Sequence, residues 1–352
     1  MQNRRGLKNM KAIVYEGPGR LAVKNVPKPK VGPKDVLVKV KAAGFCGSDL
    51  ELVRGNRVDV SPPRIPGHEL SGEVAEVGSQ ASKFKLGERV VVEPIISCGE
   101  CRNCQVGRYN ICSNLKFMGV HVDGAFAEYL SAPENRVYRI PDHLSFEAAA
   151  VLEPTAVGVH VVERAQVSTG DTVVVIGAGP IGLQVAQVAK VTGASCIIMA
   201  DVFDHRLKLA KRLAADHVIN AAKGDVAEVV NEITDGEGAD VVIEAVGKSS
   251  TILRTIDLVR VGGRIHVAGL SVERFVTEPP TFWMKALLKE VTVETSRSYA
   301  AGNWRTAIKL VSKGLVNCEA LVSHTFPLED AARAFEVADS KLENAVKVLF
   351  KP

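Results

Sequence analysis

The sequence predicts an α/β protein with two parts, an irregular β-barrel-like domain and a doubly wound parallel sheet. One observation is a first half built of short, partly alternating runs punctuated by glycine and proline. Another is the change near residue 170, where buried apolar runs begin to alternate with helix-like segments. A length of 352 residues fits about two domains.

The first strand-like run is Lys11 to Tyr15, preceded by a basic start, MQNRRGLKNM, which reads as a short extension. Val36 to Val40 and Gly72 to Gly78 follow, with the turn-rich Pro62-Pro63-Arg64-Ile65-Pro66-Gly67 between them. The parallel sheet opens with Asp171 to Ile176. A glycine turn, a helix to about Thr192 and the strand Cys196 to Ala200 come next. Asp240 to Ala245 and Arg264 to Ala268 continue the series. A final amphipathic helix, Asn303 to Ser312, and a strand, Ala345 to Phe350, return to the first domain. The expected domains are therefore 1–156 with 298–352, and 157–297.

Composition excludes several classes. Apolar residues make up 46% and charged residues 24%, as in soluble globular proteins. Lys and Arg number 44 against 40 Asp and Glu, and no basic stripe marks a nucleic-acid partner. No apolar run approaches the ~20 residues of a membrane span. The basic start lacks the apolar core of a secretory signal, so a cytoplasmic location is expected.

Gly177-Ala178-Gly179-Pro180-Ile181-Gly182 is a G-x-G-x-x-G turn between a strand and a helix. Gly177 permits the tight turn, Gly179 lets backbone approach a pyrophosphate, and Gly182 lets the helix pack on the strand. Pro180 suits the first helical turn, and the unpaired N–H groups there attract phosphate. Asp201 ends the next strand, where it can accept from both ribose hydroxyls and repel a 2′-phosphate. The turn predicts a Rossmann-type domain with NAD preferred to NADP. Arg206 pulls the other way, because a guanidinium can pair with that phosphate.

Cys98, Cys101, Cys104 and Cys112 lie within fifteen residues. Four soft ligands at this spacing suit a closed tetrahedral zinc of structural type. An iron–sulfur cluster is the chemical rival.

Further residues carry a family likeness: Cys46 in Gly44-Phe45-Cys46-Gly47-Ser48-Asp49, then Gly67-His68-Glu69, Gly107-Arg108-Tyr109-Asn110, Leu152-Glu153-Pro154 and Val157-Gly158-Val159-His160. With the cysteine cluster and the glycine turn, they make the chain resemble the zinc-containing medium-chain alcohol dehydrogenases from Met10 to Pro352. The likeness is greatest to the sorbitol (polyol) dehydrogenase and threonine dehydrogenase branch. It implies a GroES-like catalytic domain and a second, reactive zinc. Cys46 and His68 would hold that zinc, joined by Glu69 or Glu153. Zinc acts as a Lewis acid that favours the alkoxide form of an alcohol, and hydride then passes to the nicotinamide. Ser48 would relay the proton, or serve as N-cap of a helix opening at Asp49. Arg206 would lie against the adenosine, the backbone of Ile181 would meet the cofactor, and Arg297 would sit near the substrate or form a domain-junction ion pair.

One departure stands out. Many relatives carry a histidine five residues after the zinc cysteine, where this chain has Glu51, either a feature of the substrate site or a solvated helix residue. The resemblance implies oxidation of a secondary alcohol (polyol, sugar or diol) by NAD. L-threonine 3-dehydrogenase activity is the near alternative, and a non-catalytic zinc- and nucleotide-binding protein the distant one. It also implies a homo-oligomer, a tetramer more than a dimer. The run Val291-Thr292-Val293 is the candidate sheet edge for subunit pairing.

Overall fold

A computed structural model describes residues 9–57, 59–270, 281–300 and 302–352. The basic start up to Lys8 lies outside the described residues. The chain divides into two compact units, Met1–Glu153 with Cys318–Pro352, and Pro154–Asn317.

In the first unit the order is β1 (Asn9–Gly17), β2 (Arg20–Pro27), β3 (Asp35–Gly44), α1 (Gly47–Val53), β4 (Glu69–Val77), β5 (Arg89–Val92) and β6 (Ile95–Ile96). Then come α2 (Arg102–Gln105), β7 (Lys116–Phe117), β8 (Tyr129–Pro133), β9 (Val137–Arg139) and α3 (Phe146–Ala150). The second unit holds α4 (Leu152–Arg164) from its third residue on, β10 (Thr172–Ile176), α5 (Pro180–Thr192), β11 (Cys196–Asp201), α6 (Asp204–Leu213) and β12 (His217–Asn220). It continues through α7 (Val226–Ile233), β13 (Ala239–Glu244), α8 (Ser249–Leu258), β14 (Val259–Val267), α9 (Thr281–Lys289), β15 (Thr292–Thr295) and α10 (Asn303–Ser312). The chain then completes the first unit with β16 (Val322–Phe326), α11 (Ala331–Ser340) and β17 (Lys347–Phe350).

The first unit is built on a mainly antiparallel sheet ordered β16-β17-β3-β4-β5-β9, with β8 also on β3. Its inward residues, among them Val36, Val38, Val90 and Phe350, form one core with Phe126 from the loop before β8. β3 and β4 meet so that Gly44 faces Glu69, which brings the ends of two sequence motifs side by side.

The second unit is a six-stranded parallel sheet ordered β12-β11-β10-β13-β14-β15. β10 and β11 are buried on both faces, which is why they read as unbroken apolar runs. The order reverses between β10 and β13, and the crevice beyond the strand ends at such a reversal is where ligands bind. α5 starts with Pro180 and stops at Gly193, whose φ of 106° suits a left-handed cap.

The return to the first unit comes later than the sequence suggests. The crossings fall at 153/154 and 317/318, against the expected 156/157 and 297/298. Side chains explain the delay: Asn303 Nδ2 donates to Glu163 Oε2 at 2.5 Å, and Asn317 N–H donates to Gln187 Oε1 at 2.7 Å. Tyr299 and Trp304, both buried, stack obliquely with centroids 5.3 Å apart. These contacts keep α10 with α4 and α5.

Candidate functional site

Cys46 ends the turn after β3 and is the N-cap of α1, and His68 and Glu69 stand at the start of β4. Because β3 and β4 pair, ligand atoms of Cys46, His68 and Glu69 converge within 4.8 Å of one another. Thiolate, imidazole and carboxylate together suit a divalent zinc.

The surroundings orient this set. Asp49 is buried, accepts from Cys46 N–H at 3.0 Å, and places Oδ1 3.8 Å from His68 Nδ1. With Nδ1 turned toward Asp49, Nε2 is the nitrogen left for the cluster. The Phe117 ring packs edge-on against His68 at 5.2 Å. Ser48, for which N-cap was the alternative to a proton relay, lies inside α1. Cys46 takes the cap, and Asp49 closes the box as the third helical residue.

Charge balance tests the fit of a cation. Burial alone would push the His68 imidazole down, but the negative fields of Asp49, Cys46 and Glu153 outweigh it and raise it to about 10. A buried histidine driven to carry a proton marks a pocket short of positive charge. Zinc would supply that charge and leave the imidazole neutral.

A fixed cation nearby is Lys347, in β17 and 2% exposed. It donates to both Glu69 oxygens at 2.7 Å and to the Phe45 carbonyl at 3.1 Å. Burial lowers the Lys347 ammonium, but Glu69, Cys46 and Glu153 together raise it above its ordinary value. Each Glu69 oxygen keeps a second lone pair, so the ion pair does not prevent metal ligation. Glu153, buried in the first turn of α4, acts on both His68 and Lys347.

Cys98, Cys101, Cys104 and Cys112 converge within the same 4.8 Å limit. Sγ of Cys98 lies 3.9 Å from that of Cys104 and 3.4 Å from that of Cys112. A zinc tetrahedron with Zn–S of about 2.3 Å has edges of about 3.8 Å, so the four sulfurs fit one ion. N–H groups of Cys104 and Ser113 pull Cys101 down to about 6, and those of Cys98 and Asn114 lower Cys112. Desolvation and the other thiols push Cys104 up to about 11. Buried Glu93 holds the base of this lobe, accepting from Arg136 at 3.2 Å and Tyr138 at 2.9 Å.

In the second unit, a Cβ on Gly182 would stand 1.8 Å from the Gly177 carbonyl oxygen, so α5 can pack there only with glycine. Gly179 is different: a Cβ there would meet only Arg206 Nη1, at 3.7 Å, which leaves the helix N-terminus open to a phosphate. Pro180 and Ile181 form the first turn of α5. Asp201 accepts from Ala178 N–H at 2.7 Å and Phe203 N–H at 3.0 Å, which ties the glycine turn to the end of β11. Burial pushes the Arg206 guanidinium down, and Asp201 partly offsets this. Arg297 is exposed in the segment after β15, apart from this turn in sequence.

Comparison with known proteins gives the family. The alcohol dehydrogenase GroES-like domain matches residues 32–142, and the zinc-binding dehydrogenase domain matches residues 180–313. The chain belongs to the zinc-binding medium-chain alcohol dehydrogenase family. It is 36% identical over 348 residues to sorbitol dehydrogenase of Bacillus subtilis (strain 168), covering 98% of each chain. A solved Escherichia coli CFT073 protein, described as a short chain alcohol dehydrogenase complexed with cofactor NADH, aligns with TM-score 0.90 at 34% identity. The alignment covers 98% of this chain and 100% of that one. A putative zinc-binding dehydrogenase of Sinorhizobium meliloti 1021, bound to NADP, aligns with TM-score 0.90 at 34% identity, covering 98% and 99%.

Within this family frame, the structure adds residues that motif reading passes over. Lys347 carried a signal: a lone lysine in the apolar strand Ala345 to Phe350 either reaches solvent or needs a carboxylate partner. Asp49 carried one too, as the acidic residue three after the cap cysteine. Glu51 is neither open nor merely solvated. Its carboxylate is held by Arg54 and by Asn56 Nδ2 at 2.6 Å, and it orders the loop after α1. No helix among the described residues is long and apolar enough to cross a membrane.

Proposed function

We propose that this chain is a zinc-dependent oxidoreductase that transfers hydride from a secondary alcohol (a polyol, sugar or diol) to NAD and yields the ketone. The buried Cys46–His68–Glu69 cluster is the observation that carries the reading. Bound zinc supplies Lewis acidity toward a hydroxyl oxygen, and the nicotinamide supplies the hydride acceptor. Cys46, His68 and Glu69 are the protein ligands of this reading, and the four-cysteine lobe holds a second, structural zinc. Asp49 fixes the His68 ring, and Lys347 fixes the Glu69 carboxylate. Glu153 is the second carboxylate facing the centre. Ser48 Oγ relays the hydroxyl proton, passing its own O–H proton toward solvent as it accepts the substrate's, and Arg297 contributes to the substrate side.

Gly177, Gly179, Gly182 and the first turn of α5, with the backbone of Ile181, cradle the pyrophosphate. Asp201 receives the ribose hydroxyls and Arg206 lies against the adenosine. The carboxylate favours NAD over NADP, although a relative binds NADP. Sorbitol dehydrogenase activity in a full-length relative supports the polyol class. A homo-oligomer is part of the proposal. Among the described residues β15 is the edge of its sheet, and α9, which precedes it in the chain, exposes Trp283 (64%), Leu287 (76%) and Leu288 (74%). Twofold pairing there accounts for a dimer, and the family likeness carries the tetramer and the cytoplasmic location.

The test is a substrate panel with NAD, paired with Cys46→Ala. The variant should lose activity and one of two zinc ions while its fold and the lobe zinc remain. Absence of NAD reduction with every secondary alcohol would sink the proposal. Glu69→Ala should also lose one zinc, whereas Glu153→Gln should keep both and lose turnover.

A further inference from the structure

Beyond α1 the chain places a charged pair next to the reactive cluster that no motif accounts for. Arg57 is 21% exposed and grips Asp59 with a two-pronged contact, Nε to Oδ1 and Nη2 to Oδ2, each at 2.7 Å. Asp59 Oδ2 also lies 3.9 Å from His121 Nε2. His121 Nδ1 accepts the Phe117 N–H at 3.0 Å, which leaves its ring proton on Nε2, facing Asp59. Phe117 is the residue whose ring packs on His68. A continuous line of contacts therefore runs from His68 through Phe117 and His121 to the Asp59–Arg57 pair. Arg57 is raised first by its bond to Asp59, and the charges of Asp49 and Cys46 act on it as well, in keeping with this proximity.

We infer that the Arg57–Asp59 pair is the specificity determinant of the alcohol site, and that it selects uncharged polyols through the hydroxyls beyond the reacting carbon. The inference rests on the alcohol-oxidising reading above. Its chemistry follows from the pair itself. Arg57 uses Nε and Nη2 on Asp59, and Nη1 carries two more N–H groups. Asp59 keeps further lone pairs. Donor and acceptor stand side by side, matching a hydroxyl that must both give and take a hydrogen bond. The two charges cancel, so the pair adds no net field for an anion. A phosphate ester or carboxylate would have to sit against Asp59 or displace it. A monohydric alcohol would cover the pair, which is 21% and 41% exposed, without engaging its remaining donors and acceptors, and polar groups left unpaired beneath a bound substrate are what a hydroxyl-reading site penalises most. Glu51 supports the arrangement by holding Arg54 and Asn56, the residues that lead into Arg57.

The experiment compares kcat/KM of the zinc-loaded enzyme with NAD on xylitol, 2-butanol, sorbitol 6-phosphate and L-threonine. Wild type, Arg57→Met and Asp59→Asn are assayed in parallel. Wild type should prefer xylitol to all three others. Arg57→Met should lower the xylitol to 2-butanol ratio by about 10- to 100-fold, the loss of one charge-assisted contact. Asp59→Asn should raise the sorbitol 6-phosphate to xylitol ratio by about tenfold or more through loss of the repelling charge. Should Arg57→Met fail to fold, by melting and zinc content, Asp59→Asn alone decides. Ratios that stay within threefold of wild type in the folded variants overturn the inference. So does a wild-type preference for the phosphate ester, L-threonine or 2-butanol. Failure of the underlying reading is separate and earlier: wild type would reduce no NAD with any secondary alcohol.

Discussion

Replacing Lys347 with methionine tests the charge balance of the reactive cluster. The ammonium and the Glu69 carboxylate are 2% and 1% exposed, with both oxygens held at 2.7 Å. Met fills much of the lysine volume, so the change removes charge rather than packing. It strands Glu69 and also takes the donor from the Phe45 carbonyl. Breaking one side of a buried pair costs about 3–5 kcal/mol. For a unit of this size, ~1 kcal/mol moves Tm by about 2–4 °C, so the chelated variant should melt on the order of 6–20 °C below chelated wild type. Zinc then serves as the control. A cation at Glu69 replaces the missing charge, so zinc should raise the Tm of Lys347→Met more than that of wild type. Glu69→Gln combined with Lys347→Met should recover most of the loss, because no charge is left stranded. Melting of the four proteins, with and without zinc, reads all of this. A chelated Lys347→Met that melts within 2 °C of wild type, or a zinc effect equal in the two proteins, would refute the reasoning. Because the folded Lys347 value is raised, its contribution is complete below the unfolded lysine value of about 10.4 and is lost only as pH climbs through the folded value. Stability from this pair should thus be flat from pH 7 to 9.

The zinc lobe should respond at the opposite end of the scale. Cys101 is lowered to about 6, so its thiolate contribution is present above the unfolded thiol value and fades as pH falls through about 6. A metallochromic dye should register the lobe's apparent zinc affinity falling as pH drops, and an affinity independent of pH would contradict the thiolate picture. Gly182→Ala puts a methyl 1.8 Å from the Gly177 oxygen, which must move α5 off β10. NADH fluorescence titration should show affinity weakened at least ~10-fold, the scale of a 1–3 kcal/mol overpacking cost; an unchanged Kd would refute the close-packing argument. Asp201→Asn keeps one of the two backbone N–H contacts and turns an NH2 group toward the other. The kcat/KM ratio of NAD to NADP should fall about tenfold or more with the repelling charge gone, and a constant ratio would remove Asp201 from cofactor choice.

The features readable in the sequence are those whose physics is local. The G-x-G-x-x-G turn carries its own geometry within six residues, and the structure starts α5 at Pro180 with Gly179 as cap. The four cysteines converge because their spacing leaves them little choice. Helix Asn303–Ser312 has the bounds its amphipathic pattern suggests. The unit boundary was less legible. It depends on hydrogen bonds such as Asn303 to Glu163, made 140 residues apart, and no local pattern encodes them.

Between these extremes lie residues whose need is legible although their partner is not. Lys347 interrupts a strand that otherwise reads as core, a place where a lysine must either reach solvent or meet a carboxylate. Only the pairing of β17 with β3, and of β3 with β4, shows that the carboxylate is Glu69. Asp49 poses the same kind of demand at one end of α1, and Glu51 at the other: an acidic residue close behind the cluster's cysteine must be neutralised, ligated or hydrogen-bonded. The two are resolved differently, Asp49 by the Cys46 N–H and the His68 ring, Glu51 by Arg54 and Asn56. That difference separates a group that orients the reactive cluster from one that shapes the substrate loop. In the proposed function, substrate choice sits on the second group of contacts, where Arg57 and Asp59 lie two residues apart in a segment with no periodic pattern, and where charge pairing rather than motif sets what the site can read.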